Sequence, residues 1–475
     1  NSIAWSAQFL PSNATPRTGA CYVRLAPNGI DIVAATIIGA SSGGVATDIA
    51  LDALGNAYLA GETSPVDFPT NSNSWVRVTQ PLNFALFAAT VSRDGKKLLA
   101  TALFNGENFE VDPKIAVAPS GEVVVAGITQ SSQFPITPGA FQTVRMGEIY
   151  DHNLFVLKLK ADLSAPVFST YLTGEGTDDL GSVWANADGS VTLIGETHST
   201  IFPTTLDAQE RCLTADYYPT YVPYLTQIAA DGKSLIYSSF LNQGPKGAFI
   251  ASSDYGHGAT VLATTVGNIV LLDPSHLPAR PKFCAMNAAN FWGTGVTPGE
   301  ILTIFGSSLG DAQIQIAGQP ATVLYQSDGQ VNAIVPDGLP EGSAATIAAL
   351  HQGMVTDQMD LPVVSYVAGL FRDYTTPIVD ATYDDGTLIT AANPAKPGSI
   401  IRVWGTGFGN THPVIRVGST IAPPLSSRQA GGVTEFRVLV PQMPAGQSQL
   451  MIDFSITGIA FQATGLKLPV APPAQ

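Results

Sequence analysis

A short signature returns at nearly constant spacing through the first half of the chain, which makes each copy a structural unit and the array a repeat architecture. Tyr58-Leu59-Ala60-Gly61-Glu62-Thr63, followed by Phe68-Pro69, recurs as Val125-Ala126-Gly127-Ile128-Thr129 with Phe134-Pro135. It returns again as Leu193-Ile194-Gly195-Glu196-Thr197 with Phe202-Pro203, so the spacings are 66 and 68 residues. A second marker, an aromatic opening a short alternating run, falls at Tyr22, Phe87, Phe155 and Tyr224 with the same period. Turns follow these runs at Asn28-Gly29, Asp94-Gly95, Asp162 and Asp231-Gly232.

Each unit holds four short runs rich in β-branched and aromatic residues, in the third unit at 154–159, 167–172, 182–187 and 190–194. A lone four-stranded sheet leaves both faces wet, whereas radial stacking buries them, so the pattern predicts a β-propeller. The unit resembles the bacterial propeller repeat family called SBBP over about residues 20–275, on its aromatic strand, Asp-Gly turn, Gly-Glu-Thr strand and Phe-Pro loop. The fourth unit decays, with Thr264 where Gly is expected and no Phe-Pro loop after it. Residues 268–274 read as another opening strand and 2–10 as the second strand of a unit, so the two ends are expected to share one further blade. Four blades or five remain open, as does the supply of strands by a neighbouring chain.

The punctuation changes at the proline-rich stretch 274–281. Pro298-Gly299-Glu300 and the strand ending Phe305-Gly306 are echoed 99 residues later by Pro397-Gly398-Ser399 and a strand ending Trp404-Gly405. Two homologous bodies of some seven short strands each fit tandem immunoglobulin-like β-sandwich domains. The expected division is a propeller over 1–280, a first sandwich over 281–369 and a second over 370–475. This half resembles the C-terminal domain of large secreted acidobacterial proteins, on Asn287-Ala288-Ala289, Pro298-Gly299-Glu300, the segment 329–336 and Asn393-Pro394-Ala395-Lys396-Pro397-Gly398. The resemblance implies export and a surface or extracellular setting, and it brings no catalytic residue.

Composition narrows the partners. Charged residues are 12%, about half the usual fraction, and the net charge is −15, so a phosphate backbone is repelled and nucleic acid is not expected. No stretch approaches the roughly 18–20 apolar residues of a spanning helix, so no membrane insertion is expected within this chain. The start at Asn1, without Met or an apolar leader, reads as a chain whose signal segment has been removed. Cys21, Cys212 and Cys284 lack metal-type spacing; the loop-like flanks of Cys212 and Cys284 make them the disulfide candidates, against buried or free thiols. Asn13-Ala14-Thr15 is a glycosylation acceptor triplet.

Candidate chemistry is sparse. Gly306-Ser307-Ser308-Leu309-Gly310 matches a nucleophile elbow in letters, but the residues after it read as a strand rather than a helix, and the second copy carries Gly407 where Ser308 stands. Glu62 and Glu196 hold equivalent places and could pair in glycoside chemistry, with His198 beside them, although Ile128 replaces them in the middle unit. Asp178-Asp179 and Asp384-Asp385-Gly386 are weak calcium candidates better read as turn caps. No metal site or cofactor is expected. Trp75, Tyr217, Tyr218 and Tyr221, in the connections after the Phe-Pro loops, are the candidate ligand-binding aromatics. The expectation is a non-enzymatic extracellular or cell-surface protein acting in recognition and adhesion or in assembly of a surface structure, with polysaccharide or protein, itself included, as partner. The alternatives are a filament subunit polymerising by strand sharing and a polysaccharide-active propeller enzyme.

Overall fold

The computed structural model describes residues 7–10, 19–81, 84–146, 151–205, 207–208, 210–212, 221–241, 249–254, 260–264, 269–272, 283–291, 293–372, 378–442, 449–456 and 466–471. Among them every regular element is a β-strand. Five sheets follow one another along the first part. The first holds β1 (Ala7–Phe9), β2 (Ala20–Leu25) and β3 (Ile32–Ile38), in the order β1-β3-β2. The second holds β4 (Gly44–Leu51), β5 (Ala57–Thr63), β6 (Trp75–Val78), β7 (Ala85–Val91) and β8 (Leu98–Asn105), in the order β4-β5-β7-β8-β6. The third runs β9 (Glu110–Val117), β10 (Val123–Thr129), β11 (Asn153–Leu159) and β12 (Pro166–Leu172). The fourth runs β13 (Asp178–Ala185), β14 (Val191–Thr197), β15 (Val222–Ile228) and β16 (Leu235–Phe240), and the fifth β17 (Phe249–Asp254), β18 (Thr260–Thr264) and β19 (Ile269–Leu272).

The two sequence markers meet inside each complete sheet. Phe68 of the Phe-Pro loop lies 4.9 Å from Phe87, Phe134 lies 4.4 Å from Phe155, and Phe202 lies 4.4 Å from Tyr224. Each pair puts two large aromatic surfaces out of water between sheets, worth more than their area alone. The signature glycine is the space for that ring: a Cβ on Gly195 would stand 2.0 Å from the Asp179 carbonyl oxygen and 2.5 Å from the Tyr224 hydroxyl. Successive sheets pack through their first strands, β4 on β9, β9 on β13 and β13 on β17. Polar bonds pin the contacts: Thr47 Oγ1 donates to the Pro113 carbonyl (2.6 Å), and the Ile115 amide donates to Asp48 Oδ2 (2.8 Å).

Each sheet is offset from the sequence repeat by half a unit. The aromatic strand and its successor form the outer half of one sheet, and the next two strands form the inner half of the following one. A ladder irregularity near the far end marks the outer halves β7–β8, β11–β12 and β15–β16, and β2–β3 carries it too, at Arg24/Leu25. A different irregularity, within the first half of the ladder, marks the inner halves β4–β5, β9–β10 and β13–β14, and β17–β18 carries one between Phe249 and Ala251. Among the described residues the first sheet is therefore an outer half with β1 added, and the fifth an inner half with β19 added.

Among the described residues the expected shared blade does not form. β1 runs parallel along β3, as β6 does along β8, instead of serving as the second strand of a unit, whereas β19 takes the place of an opening strand, antiparallel to β18 as β7 is to β5. Among the described residues no ladder joins the first sheet to the fifth, so the sheets are not closed into a ring.

Beyond residue 282 come two two-sheet sandwiches, among the described residues with eight strands in the first and nine in the second, more than the seven or so expected, because strands of two or three residues are too short to read as strands in sequence. The first packs β20 (Cys284–Asn287), β21 (Ile301–Phe305), β25 (Gln330–Ile334) and β24 (Thr322–Ser327) against β23 (Gln319–Pro320), β22 (Gln313–Ile316), β26 (Ala344–His351) and β27 (Met354–Pro362). The second repeats that order with β28 (Gly369–Leu370), β30 (Ile400–Thr406), β34 (Val433–Leu439) and β33 (Ser426–Ala430) against β32 (Thr420–Ile421), β31 (Val414–Val417), β35 (Gln449–Ser455) and β36 (Lys467–Pro469), with β29 (Ala381–Tyr383) also on β30. The motif residues build their joint: Asn287 Nδ2 donates to Glu300 Oε2 (2.9 Å) and to the Val367 carbonyl (2.7 Å). Gly407, at φ 78°, lies against both, where a Cβ would fall 2.1 Å from the Val367 oxygen.

Candidate functional site

The most unusual surface lies where the first sheet lacks its inner half. Ile49 pairs with Leu59, Ile115 with Val125 and Val183 with Leu193, each partner two residues before the signature glycine, so the three hold one position in successive sheets. Ile115 is 5% exposed and Val183 6%, because each packs on the preceding sheet; Ile49 is 49% exposed. Leu51, next on the same face, is 61% exposed, whereas its counterparts Val117 and Ala185 pack against the preceding core. Beside this face β2 is, among the described residues, hydrogen-bonded on one side only, to β3, and shows Val23 and Leu25 to water. Its counterparts β7, β11 and β15 are interior strands, buried almost throughout. An unpaired edge beside uncovered aliphatic side chains is a template for strand addition.

The residues singled out from sequence are dispersed. Trp75 opens β6 and packs against Phe104, 5.7 Å between rings, as part of the core rather than as a displayed platform. Tyr221 is 43% exposed and rests on the His198 ring at 3.7 Å, two sheets away from Trp75. Tyr217, Tyr218 and Asn13 lie outside the described residues. Cys212 and Cys284 are joined as a disulfide, Cα atoms 6.2 Å apart, tying the connection after the third Phe-Pro loop to β20 of the first sandwich. Cys21 is free and exposed.

The carboxylates are engaged within the protein. Glu62 accepts from the Asp112 amide of the next sheet (3.2 Å), and burial raises its pKa. Burial holds His198 below its ordinary value, against the pull of Asp179. Asp178 accepts from Thr197 Oγ1 (2.5 Å), Ser199 Oγ (2.9 Å) and the Gly174 amide (2.8 Å), and Asp179 from His152 Nδ1 (2.8 Å). Asp384 is clasped by Arg402 and Arg437, which lower its pKa. Among the described residues no group of three or more His, Cys, Asp or Glu is placed to hold a metal ion, and no helix is long and apolar enough to cross a membrane. At the elbow-like motif Ser308 sits at φ 58°, its carbonyl accepts from His351 Nε2 (2.8 Å), and the chain enters β22 instead of a helix.

The chain matches no protein-family model and no curated protein. Among solved structures it is similar to SGBP-B of the Bacteroides ovatus mixed-linkage glucan utilization locus, in complex with a mixed-linkage heptasaccharide, at 14% identity, with 53% of each chain covered and a TM-score of 0.23. It is similar to BamB from Moraxella catarrhalis at 10% identity, covering 92% of this chain and 97% of that one, with a TM-score of 0.24. It is also similar to the β-propeller domain of the Trilobed protease from Pyrococcus furiosus, with an open velcro topology, at 9% identity, covering 89% and 95%, with a TM-score of 0.24. The chain spans about half the length of the SGBP-B chain.

Proposed function

We propose that the protein is an exported, non-enzymatic building unit of an extracellular structure, an open propeller carrying two immunoglobulin-like sandwiches, whose copies join by strand sharing. The inner half-sheet β17–β18 of one copy completes the outer half-sheet β2–β3 of the next. The observation that carries this reading is Ile49: the position is covered in two successive sheets and bare in the one whose predecessor is incomplete. The missing piece is an inner half-sheet, and the chain holds an inner half-sheet at its other end. Because β19 occupies the edge of β18 that β2 would take, joining is an exchange of one strand for another. Covering Ile49 and Leu51, about half exposed, stabilises the joined state by about 1 kcal/mol per side chain, before the new ladder is counted. A disulfide between Cys212 and Cys284 suits an oxidising compartment, which supports export.

Cross-linking tests the reading. In the second sheet Ala60 faces Ala88; the corresponding residues are Ala263 on β18 and Val23 on β2. With Cys21→Ser in the background, Val23→Cys combined with Ala263→Cys gives a ladder of disulfide-linked multimers on a non-reducing gel. Cross-links confined to single chains, which mark a ring closed within one molecule, or no cross-links at all, overturn it.

A further inference from the structure

A second feature, independent of the open sheet, lies where the fourth sheet meets the first sandwich. A cleft of about 410 Å³ runs between the loop at Phe202–Thr204 and the outward face of β21 and β25. That volume lies within the ordinary range for small-molecule sites, about 300–1,000 Å³. Its walls combine three kinds of group. Phe291 and Phe305 are stacked, 6.3 Å apart and 7° from parallel. The Arg211 guanidinium lies 3.7 Å over the Phe305 ring, its Nε donates to Thr204 Oγ1 at 3.4 Å, and its Nη1 is shielded from water without a protein partner. Gln330 Nε2 donates to Asn332 Oδ1 (3.0 Å), which leaves the Gln330 carbonyl and the Asn332 amino group as an adjoining acceptor and donor.

The charge arrangement is uneven. Among the described residues no Asp or Glu lines the cleft, in a chain of net charge −15. Burial lowers the Arg211 pKa to about 10, and Asp207 offsets only part of this. A partly buried cation without a contacting counter-ion is unfavourable, and a carboxylate relieves it with charge-assisted bonds in the planar geometry guanidinium favours. A hydroxyl both donates and accepts, so it complements the Gln330–Asn332 pair. A pyranose has an apolar C–H face to lay against aromatic rings.

We propose that this cleft binds an acidic saccharide, the carboxylate pairing with Arg211, a ring hydroxyl with Gln330 and Asn332, and the sugar face with Phe291, behind which Phe305 is buried. Isothermal titration of the full chain with trigalacturonate, with galacturonate and with neutral maltotriose tests it. Trigalacturonate binds at least tenfold more tightly than maltotriose, and Arg211→Gln and Asn332→Ala each weaken it at least tenfold. Equal binding of galacturonate and trigalacturonate marks a single-sugar site, and binding of the trimer alone marks a polymer end; both support the assignment. Asn332 is outside the sandwich core, so Asn332→Ala decides the matter if Arg211→Gln does not fold. No binding of either acid at millimolar concentration, equal affinity for maltotriose, or unchanged affinity in Asn332→Ala overturns the assignment.

Discussion

Asp178 is fully buried, and burial pushes its pKa up to about 8 despite three hydrogen bonds that favour the charged form. Glu300, at the joint between the sandwiches, is likewise raised to about 8 by burial. An acid whose pKa is higher folded than unfolded holds its proton in the native state while the unfolded chain has released it, so stability falls as pH rises between the two values. For both residues the window runs from about pH 4 to pH 8. The expected result is a falling urea midpoint across that range, with each group contributing a slope of up to about 1.4 kcal/mol per pH unit. Asp178→Asn flattens it; a profile identical to that of the unaltered protein would count against the assignment. The sequence carried a trace of this device. Gly106, Glu107, Glu110, Thr129 and Ser131 recur 68 residues on as Gly174, Glu175, Asp178, Thr197 and Ser199, and Glu110 is bonded to Thr129 and raised by burial in the same way. Read alone, Asp178-Asp179 looked like a turn cap with calcium as the weaker reading, because nothing in a sequence reports that a carboxyl lacks water.

At the scale of elements, what was legible is what repeats. The Phe-Pro loop, the aromatic strand and the signature glycine were visible because one packing requirement imposes all three in every sheet. The offset between repeat and sheet was not, since a period fixes spacing and leaves phase free; only ladder irregularities such as Arg24/Leu25 and Phe249/Ala251 reveal which half each end carries. Trp75 shows the complementary failure: a connection that looked free to display its aromatic forms β6 and adds to the sheet edge in parallel with β8. The Cys212–Cys284 bridge spans two such elements, 72 residues apart, and both cysteines pack with Met286 and Phe305. Replacing both by Ser is expected to lower the unfolding free energy by about 2–4 kcal/mol, read from urea melts. Because the bridge anchors the wall that bears Arg211, the same variant should also weaken binding in the cleft; an unchanged melt would show that the bridge closes a loop already held by packing.

Across the whole molecule, stacking of sheets is a chain of nearest-neighbour contacts, so each end of the array presents a face that an interior sheet would cover. Repeat proteins ordinarily give such ends polar capping residues. Here the end face carries Ile49 and Leu51, and the adjoining edge strand carries Val23 and Leu25, which is the composition of a contact surface rather than of a cap. The two ends are also unlike, an outer half-sheet at one and an inner half-sheet at the other, so the proposed contact between copies would be head-to-tail and would grow open chains unless its rotation closed a ring. Ile49→Asp separates this from a packing role. Being half exposed in the isolated chain, the residue can be exchanged at a cost to monomer stability of about 1 kcal/mol, whereas a carboxylate buried at a joint without a partner costs several kcal/mol. Light scattering across a concentration series should therefore show multimers for the unaltered chain and folded monomers for Ile49→Asp, with the urea midpoint lowered only slightly; multimers of unchanged size in the variant would remove the end face from the assembly.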